Sequence, residues 1–220
     1  MSTLFNLGDL LNRENDTEKA ALIDLSRPEG ARTFSHAEID NASQAVARGL
    51  VARGLRRGER VAILSENRLE FLTAYFGTMR AGLVSVPINY KFPNETVDYI
   101  LRDADIKLVF ADKDRAASVP SDIRVVNFDN NGPDGFEALS DPGEFESIRP
   151  TRDEIAMFLY TSGSTGRPKG VPLTHEGHLW VVKVRINPPP DADHRVLVAA
   201  PLYHMNGLAM CKLAVGAHLT

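Results

Sequence analysis

Tyr160-Thr161-Ser162-Gly163-Ser164-Thr165-Gly166-Arg167-Pro168-Lys169-Gly170-Val171 is the stretch whose reading decides what this chain is. Before it, Ile155-Ala156-Met157-Phe158-Leu159-Tyr160 is apolar and aromatic enough for a buried strand; after it, Val171-Pro172-Leu173-Thr174 is a second, shorter extended run. From Thr161 to Gly170 there are four hydroxyl side chains, three glycines, one lysine, one arginine and no acid. Glycine lets a backbone turn sharply and approach a ligand. Hydroxyls and main-chain N–H groups donate hydrogen bonds without bulk, and a lysine adds a point charge. This is the composition of a phosphate cradle.

Two better-known phosphate motifs are excluded by spacing. A Walker loop requires glycine, four residues, glycine, then lysine and a hydroxyl; Pro168 stands where the second glycine belongs, and Gly170 follows the lysine. The dinucleotide fingerprint needs two glycine intervals, and Gly163 and Gly166 supply one.

Outward from the cradle, strand and helix signals alternate. Ser35 and Glu38 have capping-box spacing ahead of a helix that runs to Gly54, with Arg48 and Arg53 near its C-terminus, where cations suit the dipole. Val61–Leu64, Leu83–Pro87, Lys107–Ala111 and Val125–Phe128 read as strands; Asn67–Ala81 and Asn94–Arg102 read as helices. Asp129 to Pro150 breaks the alternation with three glycines, three prolines and six acids against one base, the composition of a linker or long loop. Beyond the cradle, a helix is expected from His175 to Ile186, with Trp180, Val181, Val182 and Val184 in its core. A strand is expected from Arg195 to Ala200 and a helix from Asn206 to Val215. The whole predicts an α/β fold of right-handed βαβ units with largely parallel sheets. The expected division is a first α/β subdomain over 1–128, a connecting loop over 129–150, and the start of a second over 151–220.

Composition sets the class. In 220 residues, 43% are hydrophobic and 25% charged, values of an ordinary globular protein. A net charge of −4 gives no sign of nucleic-acid binding. Met1 to Ala20 lacks the basic-then-apolar order of a secretory signal, and no apolar run is long enough for a transmembrane segment. The single cysteine, Cys211, reads as a small buried hydrophobe. These features together predict a cytoplasmic protein. Gly216-Ala217-His218-Leu219-Thr220 has the look of an opening strand, so the chain is expected to be the N-terminal piece of a longer protein. His175 and His178 raise the thought of a metal pair, but no third ligand stands at a sensible spacing.

Tyr160 to Val171 resembles the phosphate-binding signature of the adenylate-forming enzymes, which include acyl- and aryl-CoA synthetases, nonribosomal peptide synthetase adenylation domains and beetle luciferases. Four further matches follow the family's order: Thr33–Glu38, Arg57–Ile63, Ala81–Asn89 and Ala200–Leu208, the last containing Pro201-Leu202-Tyr203-His204. The His204 element and the Pro87-Ile88-Asn89 turn favour a CoA synthetase. The resemblance implies the large domain of an adenylate-forming enzyme, here incomplete. The family's later adenine-binding segment, magnesium glutamate, ribose aspartate, hinge and C-terminal lysine find no counterpart in this chain.

The implied reaction joins a carboxylic acid to the α-phosphorus of ATP, releasing pyrophosphate, and then to coenzyme A with release of AMP. A carboxylate is already ionised at neutral pH, so the enzyme supplies alignment and charge stabilisation rather than a base. By resemblance, Thr161, Ser162, Gly163, Ser164, Thr165, Gly166 and Lys169 hold the phosphates, Thr161 lies beside a Mg2+ ion, and His204 and Lys169 carry the catalytic roles. Arg167 reads equally as an exposed turn arginine, and Tyr203 as packing beside the acyl pocket. Two competing expectations stay open: a truncated nucleotide- or acyl-binding protein of the same fold without ligase activity, and an unrelated NTPase.

Overall fold

The computed structural model describes residues 4–25, 30–161, 166–187, 190–191 and 193–220. A six-stranded sheet carries the structure, with strand order β6-β5-β3-β4-β7-β8. Its members are β3 (Arg60–Leu64), β4 (Val84–Pro87), β5 (Ile106–Ala111), β6 (Arg124–Asn127), β7 (Ile155–Thr161) and β8 (Lys169–Thr174). All neighbours pair in parallel except β7 with β8, which form an antiparallel hairpin. The α/β expectation holds: this is a mixed α/β structure with a mostly parallel sheet.

Period-two alternation explains why these strands read as continuous apolar runs. Val61 and Ile63 of β3 and Leu108 and Phe110 of β5 point into one core; it is completed by α1 (His36–Ala52) and α2 (Leu69–Arg80) through Val46, Leu50, Phe71 and Tyr75. Ala62 and Leu64, with Val109 and Ala111, point into the other core, which α3 (Asn94–Asp103) fills with Val97, Ile100 and Leu101. The Ser35 cap of α1 is the expected box: Glu38 N–H donates to Ser35 Oγ at 3.2 Å, and Ser35 N–H to Glu38 Oε2 at 2.7 Å.

This two-faced packing locates a crevice. The crossover from β3 through α2 reaches β4 on one side, while the crossover from β4 through α3 returns past β3 to β5 on the opposite face. Connections leaving adjacent strands towards opposite faces leave a gap at their carboxyl ends, where open α/β sheets bind ligands.

Several elements differ from the sequence reading. A hairpin of β1 (Ala20–Asp24) and β2 (Arg32–Ser35), antiparallel and outside the large sheet, was not legible. Residues Arg195 to Ala200 are not a strand: a strand needs a ladder partner, and here Val196 N–H reaches only Thr220 O, at 2.7 Å, while Leu197 is 82% exposed. Nor is Gly216 to Thr220 a strand; it turns so that Thr220 Oγ1 donates to Ala20 O at 2.7 Å. The segment after Asp129 contains a short helix, α5 (Phe136–Leu139), with Leu139 buried. Arg53 donates both to Gly49 O in the last turn of α1, at 3.5 Å, and to Ala138 O and Leu139 O of that segment, while Arg48 pairs with Asp141 at 3.0 Å. In α6 (His175–Arg185) only His175, Leu179 and Val182 are buried, so Trp180 and Val184, on the turn's other side, are 66% and 52% exposed instead of core.

Candidate phosphate and acyl-transfer site

The cradle is a hairpin mouth. In the β7–β8 ladder Leu159 faces Val171, Tyr160 faces Gly170, and Thr161 faces Lys169, so Thr161 and Lys169 stand opposite each other where the ladder ends. Both are exposed. Ser162, Gly163, Ser164 and Thr165 lie outside the described residues. Gly166 has φ +86 with open space around it, a backbone shape that an L side chain rarely takes. Lys169 has no carboxylate partner among the described residues, leaving its ammonium free for an anion.

β7 is parallel to β4, so the mouth opens on the same carboxyl edge as the β3/β4 crevice. The second motif is held at that edge by Asn67, in the connection after β3. Asn67 Nδ2 donates to Ala200 O at 3.0 Å, and its Oδ1 accepts Leu202 N–H at 2.8 Å. The side chain thereby fixes the backbone on both sides of Pro201. His204 N–H then donates to Pro201 O at 3.0 Å, and His204 opens helix α7 (Met205–Gly216) with its ring exposed. Tyr203 is buried, stacked obliquely on His204 (4.5 Å between ring centres) and edge-on to Tyr90 at 5.3 Å. Tyr90 follows β4, so the Tyr203–His204 pair bridges the chain leaving β3 and the chain leaving β4. A side chain at Gly207 would bring a Cβ within 2.6 Å of Pro201 O, which is why the turn requires glycine there.

His204 makes no hydrogen bond to Thr161 or Lys169 among the described residues; the three share the carboxyl edge of the sheet. Asn67, Tyr90 and Gly207 were missed as site residues. Asn67 read only as a helix start, since a side-chain bridge to residues 133 and 135 positions later leaves no local pattern.

Other titratable groups near the hairpin are committed elsewhere. His175 is buried and its Nδ1 accepts Leu7 N–H at 3.0 Å, while His178 Nδ1 lies 3.3 Å from Lys212 Nζ. Burial first lowers both imidazoles, to about 4. Burial likewise pushes the Cys211 thiol up to about 12, unsuited to nucleophilic work. Among the described residues no group of three or more His, Cys, Asp or Glu is arranged for a metal, and no helix is long and apolar enough to cross a membrane.

The hairpin mouth, the topological crevice and the His204 turn thus share one sheet edge. Residues 12–220 match the family model of the AMP-binding enzymes. The chain is 33% identical over 185 residues to feruloyl-CoA synthase from Amycolatopsis sp, covering 84% of this chain and 37% of that protein. It is 32% identical over 205 residues to the long-chain-fatty-acid–CoA ligase FadD15 of Mycobacterium bovis, covering 84% and 34% respectively. The ATP-bound crystal structure of MatB from Rhodopseudomonas palustris superposes with a TM-score of 0.82 at 29% identity, over 97% of this chain and 44% of that one. This chain belongs to the adenylate-forming, AMP-binding enzyme family, within which its matches include acid–CoA ligases. It spans well under half the length of these relatives.

Proposed function

We propose that the chain supplies the phosphate-binding part of an ATP-dependent carboxylic acid–CoA ligase that works through an acyl-adenylate. The observation that carries this reading is the register of Thr161 against Lys169 at a hairpin mouth sharing its sheet edge with His204. Lys169 meets the charge that gathers on the departing pyrophosphate, and the Thr161 hydroxyl and nearby N–H groups hold the phosphates in line. His204, anchored through Pro201 and Asn67, orients the acid carboxylate towards the α-phosphorus. Coenzyme A sulfur then displaces AMP to give the thioester.

Thr161 offers a hard hydroxyl oxygen, the donor type that Mg2+ takes alongside its waters and substrate phosphates, so it is the residue here that would touch the ion. When bound, the ion neutralises phosphate charge. The adenine, ribose and coenzyme A contacts are assigned to chain outside these 220 residues, so the 220-residue chain alone forms no thioester. The assigned compartment is the cytoplasm, on the single, buried cysteine.

The deciding experiment is ATP–pyrophosphate exchange by the protein of the complete reading frame, with a panel of aliphatic, aromatic and dicarboxylic acids. Exchange that requires one class of acid is expected. ATP hydrolysis indifferent to every acid would replace this reading by that of an NTPase.

A further inference from the structure

Both flanks of the 162–166 loop are tied to one turn of α3. Tyr160, the residue before Thr161, donates its hydroxyl to Asp103 Oδ2 at 2.6 Å. Tyr99, one helical turn before Asp103, donates to Oδ1 of the same carboxylate at 3.3 Å. Beyond the loop, the Arg167 guanidinium lies over the Tyr99 ring, 5.2 Å from its centre. The two ends of the loop thus converge on a single i,i+4 pair.

Asp103 is the last residue of α3, where the negative end of the helix disfavours a carboxylate. Two phenol donors offset that cost with charge-assisted hydrogen bonds. Burial, with the Asp103 hydrogen bond adding to it, raises the Tyr160 phenol further above its ordinary range, so it stays a donor wherever the protein is folded.

We propose that Tyr99 and Asp103 form the seat of the phosphate loop: Asp103 is a positioning residue for nucleotide binding through Tyr160, and Arg167 belongs to the seat rather than to the phosphates. The seat sets where Thr161 and Lys169 stand, because Tyr160 and Gly170 are the ladder pair immediately behind them. Its consequence for nucleotide rests on the ligase reading above; its consequence for the loop does not.

Two measurements separate the levels. In the 220-residue chain, hydrogen exchange over residues 161–168 should quicken about tenfold in Asp103→Ala and in Tyr160→Phe, and not in the nearby control Asp98→Asn. In the complete protein, Asp103→Ala should raise KM for ATP about tenfold with KM for the acid unchanged, and Asp103→Asn, which keeps an acceptor for Tyr160, should recover most of it. Loop exchange unaltered in both variants overturns the seat. So does a KM for ATP that stays at the wild-type value, or a rise in both KM values alike. If the wild-type protein shows no acid-dependent exchange, the ligase reading fails, and the hydrogen-exchange result alone decides the seat.

Discussion

Asn67 Oδ1 accepts the N–H of Leu202 at 2.8 Å, across 135 residues of chain. With the companion bond from Nδ2 to Ala200 O, this one amide attaches the His204 turn to the end of β3. Asn67→Ala leaves both main-chain groups without their partner and should cost about 1–3 kcal/mol of stability. Asn67→Asp, which keeps the acceptor and loses the donor, should cost less. Denaturant melts of the two variants rank them, and equal stability for Asn67→Ala and wild type would show that the clamp is idle.

Gly207→Ala attacks the same turn from the other side. Its Cβ would sit 2.6 Å from Pro201 O and 2.9 Å from Ala200 O, both main-chain atoms that yield only if the turn moves. A destabilisation of about 2 kcal/mol is expected, with faster hydrogen exchange over residues 200–204. A variant as stable as wild type, with unchanged exchange, contradicts the close approach.

Lys169→Ala tests the cradle. Acid-dependent pyrophosphate exchange by the complete protein should fall about a hundredfold, the usual scale for removing one preorganised charge or donor from a developing anion. Stability should hardly change, since Lys169 is exposed. Undiminished exchange removes Lys169 from the mechanism.

Acid should weaken the fold before the carboxylates titrate. Burial lowers His36, His175 and His178 from 6.5 to about 4, so between those values the unfolded chain binds more protons than the folded one. Stability is therefore highest above pH 6.5 and declines as pH falls towards 4, by about 3 kcal/mol for a buried histidine such as His175. Glu154, held at about 2 chiefly by its hydrogen bond to Arg57, contributes its own loss as pH falls from 4.5 towards 2, overlapping only the acid end of this window. Urea titrations at pH 7.5, 6 and 5 check the slope, and His175→Asn, which can still accept Leu7 N–H, should flatten part of it. A pH-independent midpoint across that range refutes the assignment.

The alternation of short apolar runs with amphipathic helices was enough to place β3 to β8, α1, α2, α3, α6 and α7, because each carries its own period and its own ends. The β1–β2 hairpin escaped notice because Ala20–Asp24 has no alternation and its pairing lies outside the sheet. Arg195–Ala200 misled for the converse reason: Val196, Leu197 and Val198 have strand propensity, but propensity does not supply a partner. Trp180 misled because an apolar residue in a helix reads as core until the packed face is known.

The linear sequence determined the family, since its twelve-residue signature from Tyr160 to Val171 is continuous in the chain. It also determined the parallel α/β class, since period and spacing are local properties. Only the tertiary structure decided that Asn67 holds the His204 turn, that Tyr90 and Tyr203 meet, and that Tyr99 and Asp103 seat the loop. Apart from the i,i+4 pair of Tyr99 and Asp103, those contacts join residues 57 to 135 positions apart. Each depends on which strands become neighbours and which faces their helices cover, and no local pattern encodes that.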